Sequence, residues 1–253
     1  MSETRGHAAN EPRPRGVRVE ARDLTRRFGE HVALDGLSLA IEPGEAFGLL
    51  GANGAGKTTF IRMVTGCLLP SDGTVTVDGV SPSASPSAVQ ALLGFVMETC
   101  RLYPELRVRS FLRFIGGARG LAGARLATAV DRAIERFRLE GAATRPIGNL
   151  SKGFQQRVSL AQAFLHDPPL VIVDEPTGGL DPLQQTEVQE ILRELRGRRT
   201  LILCTHDLHE AESLASRVAV LRQGRLVAVG NAKDVLSEGE ALDLFRDSAE
   251  VGA

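Results

Sequence analysis

Gly51-Ala52-Asn53-Gly54-Ala55-Gly56-Lys57-Thr58 fits the pattern G-x-x-x-x-G-K-[ST] at every fixed position. It follows an apolar run, Ala46 to Leu50, and precedes Phe60, Ile61, Val64 and Cys67 at helical spacing. The local order is therefore strand, glycine loop, helix. Each residue type has a chemical reason. Glycines let the backbone bend until successive N–H groups point inward at a polyphosphate. The helix that follows adds the partial positive charge of its N-terminus. Lys57 can reach the outer phosphates, and the Thr58 hydroxyl can ligate Mg²⁺.

Further along, the chain repeats this alternation. Leu170-Val171-Ile172-Val173-Asp174-Glu175 is an apolar strand ending in two acids, and carboxylates there face the crevice where open α/β sheets bind ligands. Asp174 is the natural holder of Mg²⁺ through a bound water or from just outside its ligands. Glu175 is placed to act as general base on a water aimed at the γ-phosphate. Leu201-Ile202-Leu203-Cys204-Thr205-His206 has the same design with a histidine past its end. That imidazole can hydrogen-bond the γ-phosphate or hold the attacking water. Between these strands Val188, Ile191, Leu192 and Leu195 share a helical face, with Asp181 as cap and Pro182 at the first position. Val75 to Gly79 reads as a short strand, Ser81 to Ser87 as a loop, and Val218 to Val229 as a hairpin turning at Gln223-Gly224. Strands alternating with helices imply a parallel sheet covered on both faces.

The middle of the chain differs. Val108, Phe111, Leu112 and Ile115 form one helical stripe, and Ala127, Val130, Ile134 and Phe137 another. With no strand pattern between Leu106 and Asp167, an all-helical block of about sixty residues is inserted in the α/β core.

Composition narrows the class. The 253 residues carry 30 Lys and Arg against 31 Asp and Glu, a net charge of −1, which lacks the basic excess of a nucleic-acid binder. Apolar residues make up 43% and charged residues 24%, the usual balance for a globular protein with a sizeable core. No apolar run approaches the ~18 residues of a membrane span. Met1 to Gly16 has no apolar segment of the secretory kind and, with Pro12 and Pro14, reads as a disordered tail. Cys67, Cys100 and Cys204 match no metal spacing and fit reduced thiols.

One further stretch decides between families. Leu150-Ser151-Lys152-Gly153-Phe154-Gln155-Gln156-Arg157 precedes the acidic strand. Ser151 is a good helix cap, and Phe154, Val158, Ala161 and Leu165 then share one face. A helix start with a serine hydroxyl and a bare glycine amide suits an anion. The stretch resembles the LSGGQ signature of ATP-binding-cassette (ABC) transporter subunits. With the phosphate loop, the acidic strand and the histidine, the resemblance runs from Val17 to about Leu236.

That resemblance implies a fold and a set of roles. The fold is a P-loop NTPase of ABC type: an α/β core with a mostly parallel sheet, an antiparallel β subdomain and an inserted α-helical subdomain over about residues 99–166. The cassette spans 17–236, after a tail at 1–16 and before a C-terminal helix or tail at 237–253. ATP sits on Gly51, Ala52, Asn53, Gly54, Ala55, Gly56, Lys57, Thr58 and Thr59, with Phe28 stacked on adenine. Thr58, Asp174 and Glu98 attend Mg²⁺, while Glu175, His206 and Lys57 are catalytic. Gly178-Gly179-Leu180-Asp181 matches the loop that crosses to a second subunit. In the family two cassettes pair head to tail, so Ser151, Gly153 and Asp181 reach the ATP held by the partner. The implied protein is a cytoplasmic ATPase on the inner face of the membrane, driving a separate permease docked on the helical block and on residues 98–106.

Three departures refine this. Lys152 and Phe154 replace a glycine and the glutamine of the usual signature, Glu98 stands where a glutamine is common, and Gly178 replaces a serine. The altered signature and Leu102-Tyr103-Pro104-Glu105-Leu106 resemble the exporter branch with ABC-2-type permeases. Two other classes fit less well. Repair or translation ATPases of this type carry coiled coils, zinc modules or basic extensions that this sequence lacks. A non-hydrolysing switch has no need of intact Lys57, Asp174, Glu175 and His206.

Overall fold

The computed structural model describes residues 16–99 and 102–237. The expected N-terminal tail up to Arg15, Cys100, and the expected C-terminal segment from residue 238 onward lie outside the described residues. Two long strands, β1 (Val19–Phe28) and β2 (His31–Ile41), lead into β3 (Ala46–Leu50), α1 (Lys57–Val64) and β4 (Asp72–Val77). Then come α2 (Pro86–Leu92), β5 (Leu93–Val96) and three helices, α3 (Val108–Ala118), α4 (Gly123–Arg136) and α5 (Lys152–Phe164). Alternation resumes with β6 (Leu170–Asp174), α6 (Pro182–Glu194), β7 (Thr200–Thr205) and α7 (Leu208–Leu214). The hairpin β8 (Arg217–Arg222) and β9 (Arg225–Asn231) and the short α8 (Ala232–Ser237) follow.

Six strands form the central sheet in the order β5-β6-β7-β3-β8-β9, all parallel except β9. Its middle strands are continuous apolar runs because both faces are covered. On β6, Val171 and Val173 point into a core built with α3, α4, α5 and α6, while Leu170 and Ile172 point into the opposite one. Leu201 and Leu203 of β7 divide from Ile202 and Cys204 in the same way. That second core is closed by a three-stranded antiparallel sheet, β2-β1-β4, and by α1.

The helical segment between β5 and β6 contains no strand among the described residues, only an isolated bridge from Arg107 to Pro146. Asp181 caps α6 by accepting the Gln184 N–H at 3.0 Å, and Ser151 caps α5 by accepting that of Phe154 at 3.4 Å.

Three local expectations are corrected. Ala127 is exposed, and Leu126 packs on the core in its place, so the inward stripe of α4 lies one position earlier at its start. Cys67 is exposed and outside α1, which ends at Val64 before Gly66 at φ +75°. Pro86 and Ser87, read as loop, open α2, where proline's missing N–H costs nothing.

Candidate functional site

The parallel order places the carboxyl ends of β5, β6, β7 and β3 side by side. Glu98 after β5, Asp174 at the end of β6 with Glu175 just after it, His206 after β7 and the glycine loop after β3 therefore emerge along one edge of the sheet. Among them lies a cavity of about 310 Å³ lined by Phe28, His31, Ala33, residues 52–59, Glu98, Asp174 and Glu175.

The loop is shaped for close approach. Gly56 has φ +109°, and a Cβ there would stand 2.8 Å from the Ala33 carbonyl oxygen, so only glycine fits. Gly56 also stands at the N-cap of α1 with no side chain to cap it, leaving the first helical N–H groups to a ligand. Thr58 is exposed one residue into this helix.

Lys57, 6% exposed, is folded back onto its own loop. Its Nζ donates to the Gly51 carbonyl and, at 3.4 Å, to that of Ala52. Glu175 Oε1 lies 3.9 Å away. The same oxygen is 2.9 Å from Nδ1 of His206, whose side chain is mostly exposed. Glu175 has φ +49°, rare for a residue with a β-carbon and a form of strain that collects at working sites. Its N–H donates to the Cys204 carbonyl at 2.8 Å, which ties the turn to β7.

Asp174 is buried, and its carboxyl is pushed up to about 6. Burial is the main cause, helped by the charges of Glu175 and Glu98 and opposed by Lys57. Three acids facing one buried lysine make a pocket short of positive charge. A divalent cation fits this donor set, since carboxylates and a threonine hydroxyl are hard oxygen ligands.

Ser151, Gly153 and Asp181 do not line this cavity. They sit at the starts of α5 and α6, and Gly153 and Asp181 are joined through Gln184. That residue's N–H is capped by Asp181, and its side chain covers Gly153, where an added Cβ would meet it at 2.7 Å. Phe28 is 45% exposed at the cavity mouth, with the Arg26 guanidinium 4.5 Å from its ring centroid. Sequence reasoning missed Gln184, and also His31 and Ala33, whose proximity comes from the β1–β2 hairpin and not from any motif. It missed Gln156 as well, whose Nε2 donates to the Pro176 carbonyl at 2.9 Å and holds α5 to the turn after Glu175.

A glycine loop between strand and helix, with paired acids at the same edge of the sheet one strand over from its neighbour, defines a phosphate-loop nucleotide-binding protein. Residues 34–178 match the family described as ABC transporter. Nod factor export ATP-binding protein I of Cupriavidus metallidurans is 37% identical over 92% of this chain and 78% of its own length. A probable multidrug ABC transporter ATP-binding protein of Escherichia coli, YbhF, is 35% identical over 87% of this chain and 38% of its own. Among solved structures, an ATP-binding subunit of an ABC transporter superposes with a TM-score of 0.78 at 31% identity, covering 91% of this chain and 98% of that one. The chain belongs to the ABC transporter family and is an ATPase cassette of that family. Among the described residues no helix is long and apolar enough to cross a membrane.

Proposed function

We propose that this chain is the cytoplasmic ATPase subunit of an exporter. It binds Mg·ATP, closes head to tail with a second cassette and drives a separate ABC-2-type permease from the inner face of the membrane. The cassette spans residues 17–236, with about 99–166 as its helical subdomain. One observation carries the hydrolytic part: Glu175 Oε1 is held between His206 and Lys57 at the mouth of the glycine-loop cavity.

Thr58, Asp174 and Glu98 would hold Mg²⁺, which, when bound, neutralises charge on the phosphates. The chain's own groups do the rest. Lys57 exchanges the Gly51 and Ala52 carbonyls for phosphate oxygens. Amides of residues 52–59 cradle the phosphates, and Phe28 stacks on the base. Glu175 takes a proton from a water whose oxygen bonds to the γ-phosphorus as the bond to the ADP oxygen breaks. His206 fixes that carboxylate by its Nδ1 contact and presents its free edge to the γ-phosphate. Ser151, Gly153 and Asp181, outside the cavity in their own chain, serve the ATP of the facing cassette.

Export is supported by the names of the similar proteins, Nod factor export and multidrug transport. A permease dock is supported by Tyr103 and Phe114, 50% and 56% exposed and stacked edge to face at 5.8 Å, Tyr103 following Glu98 closely in sequence. The test is Glu175→Gln. Turnover should fall roughly 10²–10⁴-fold while ATP still binds, and an ATP-bound dimer should accumulate. Normal turnover would remove Glu175 from the mechanism.

A further inference from the structure

Glu210 is a buried carboxylate that the hydrolytic chemistry does not use. It is 2% exposed, in the first turn of α7. Thr177 Oγ1 donates to its Oε1 at 2.6 Å, and the Thr205 hydroxyl faces the same carboxylate closely enough to favour its ionised form. Both threonines are buried. Thr177 stands two residues after Glu175, and Thr205 directly precedes His206. The Thr205 hydroxyl in turn accepts the Asp207 N–H at 3.0 Å, and Asp207 caps α7 through the N–H groups of His209 and Glu210. Burial raises the Glu210 carboxyl, and the two hydroxyl donors pull it back.

A carboxylate taken out of water at this cost needs a compensating role. Its two partners define that role. One hydroxyl comes from the turn that carries Glu175 and the other from the turn that carries His206. Those turns also meet at the 2.9 Å contact between Glu175 and His206 and at the Glu175 N–H to Cys204 carbonyl bond. The side-chain contact is exposed to water on its histidine side, whereas the Glu210 clasp is closed.

We infer that Glu210 is a positioning residue: by clasping Thr177 and Thr205 it sets the register in which His206 meets Glu175. The inference rests on the assignment of Glu175 and His206 as the hydrolytic pair. Glu210 is buried and does not line the glycine-loop cavity, so its loss acts on the chemical step and not on binding.

The experiment measures steady-state Mg·ATP hydrolysis, ATP affinity and melting temperature for the full chain and its variants. Glu210→Gln keeps the size but offers one acceptor oxygen in place of two. It should lower kcat about 10–100-fold, the cost of a small misplacement of reacting groups, with KM and ATP affinity within about twofold. Thr177→Val should give the same split, and Thr177→Ser, which keeps the hydroxyl, should recover most of the turnover. With Glu210→Gln and Thr177→Val combined, the loss should not exceed that of the worse single change, since both open one clasp. Unchanged kcat in Glu210→Gln overturns the inference. So does a loss that falls equally on KM, ATP affinity and melting temperature, or a Thr177→Ser variant as poor as Thr177→Val. A Glu175→Gln control separates the two layers. If that control hydrolyses normally, the assignment beneath is wrong; if it is inactive while Glu210→Gln runs at full rate, only the clasp is wrong.

Discussion

Nδ1 of His206 stands 2.9 Å from Oε1 of Glu175, and that same oxygen lies 3.9 Å from the ammonium of Lys57. One carboxylate oxygen therefore faces two nitrogen donors, one on an exposed ring and one on a buried lysine. The arrangement leaves Oε2 of Glu175 for a water, and it makes the orientation of the base depend on the histidine. His206→Ala should reduce kcat by about 10²-fold while ATP affinity stays nearly constant. His206→Gln, which can still donate to Oε1, should recover part of the rate. Pre-steady-state phosphate release in the two variants checks this; equal rates in both would show that the imidazole donates nothing to Glu175.

Lys57 has one acid at the edge of ion-pair distance, Glu175 at 3.9 Å, and otherwise rests on loop carbonyls. Those weak partners are readily exchanged for phosphate. Lys57→Met removes one charge-assisted contact and leaves Glu98, Asp174 and Glu175 without an opposing cation. ATP affinity should fall about 10–100-fold, as expected for a hydrogen bond to a charged group. The deficit should widen as pH rises from 5.5 to 8, because ionisation of Asp174 then adds repulsion toward the triphosphate. Calorimetric titration at the two pH values tests both parts.

Asp174 links the site to stability. Its carboxyl rises from an ordinary 3.8 to about 6 on folding. Between those values the folded chain holds a proton that the unfolded chain has released, so stability falls as pH climbs through the window. Above it the full penalty of a buried charge remains, about 1–2 kcal/mol after screening. Asp174→Asn should therefore melt higher than the parent at pH 7.5 without nucleotide and about equal to it at pH 4. Adding Mg·ATP should reverse the order, since the variant loses a metal ligand. Thermal melts over pH 4–8 decide it, and parallel curves for both proteins would refute the linkage.

The parts of the fold that were legible are those whose pattern is local. β3, β6 and β7 announce themselves because strands buried on both faces are uniformly apolar, and the glycine loop because its backbone demands are strict. β1 and β2 are the opposite case. Register shifts at Ala21/Leu24, Leu24/Arg26 and Arg26/Arg27 break the alternation, so a two-residue period survives only in short pieces such as Val19–Ala21 and Leu37–Ile41, and the presence of the strands followed only from family resemblance. On α4 a single alanine decided the stripe wrongly at its start: Ala127 is too small to reveal a face, and Leu126 beside it makes the contact. At the site, the grouping of Glu98, Asp174 and Glu175 follows from strand order, which a run of apolar residues does not encode. Gln156, Gln184 and Glu210 were invisible for a related reason. Each is a polar residue at an ordinary helical position, and the spacing along its own helix does not show what the rest of the fold brings against it.

Gly153 offers a test of why a glycine stands there. An added Cβ would lie 2.7 Å from Cγ and Cδ of Gln184, but that side chain is only partly buried and can swing aside. Overpacking against a movable group costs little, and alanine gains helix propensity over glycine. Gly153→Ala should therefore change stability by less than about 1 kcal/mol. If the bare backbone is needed for the phosphates of a facing cassette, the methyl group should still abolish ATP-dependent dimerisation in a Glu175→Gln background. Adding Gln184→Ala removes the intramolecular clash and should not restore the dimer. Light scattering with and without Mg·ATP reads the outcome. A dimer recovered by Gln184→Ala would mean that Gly153 serves only packing within its own chain, leaving the phosphates of a partner out of its account.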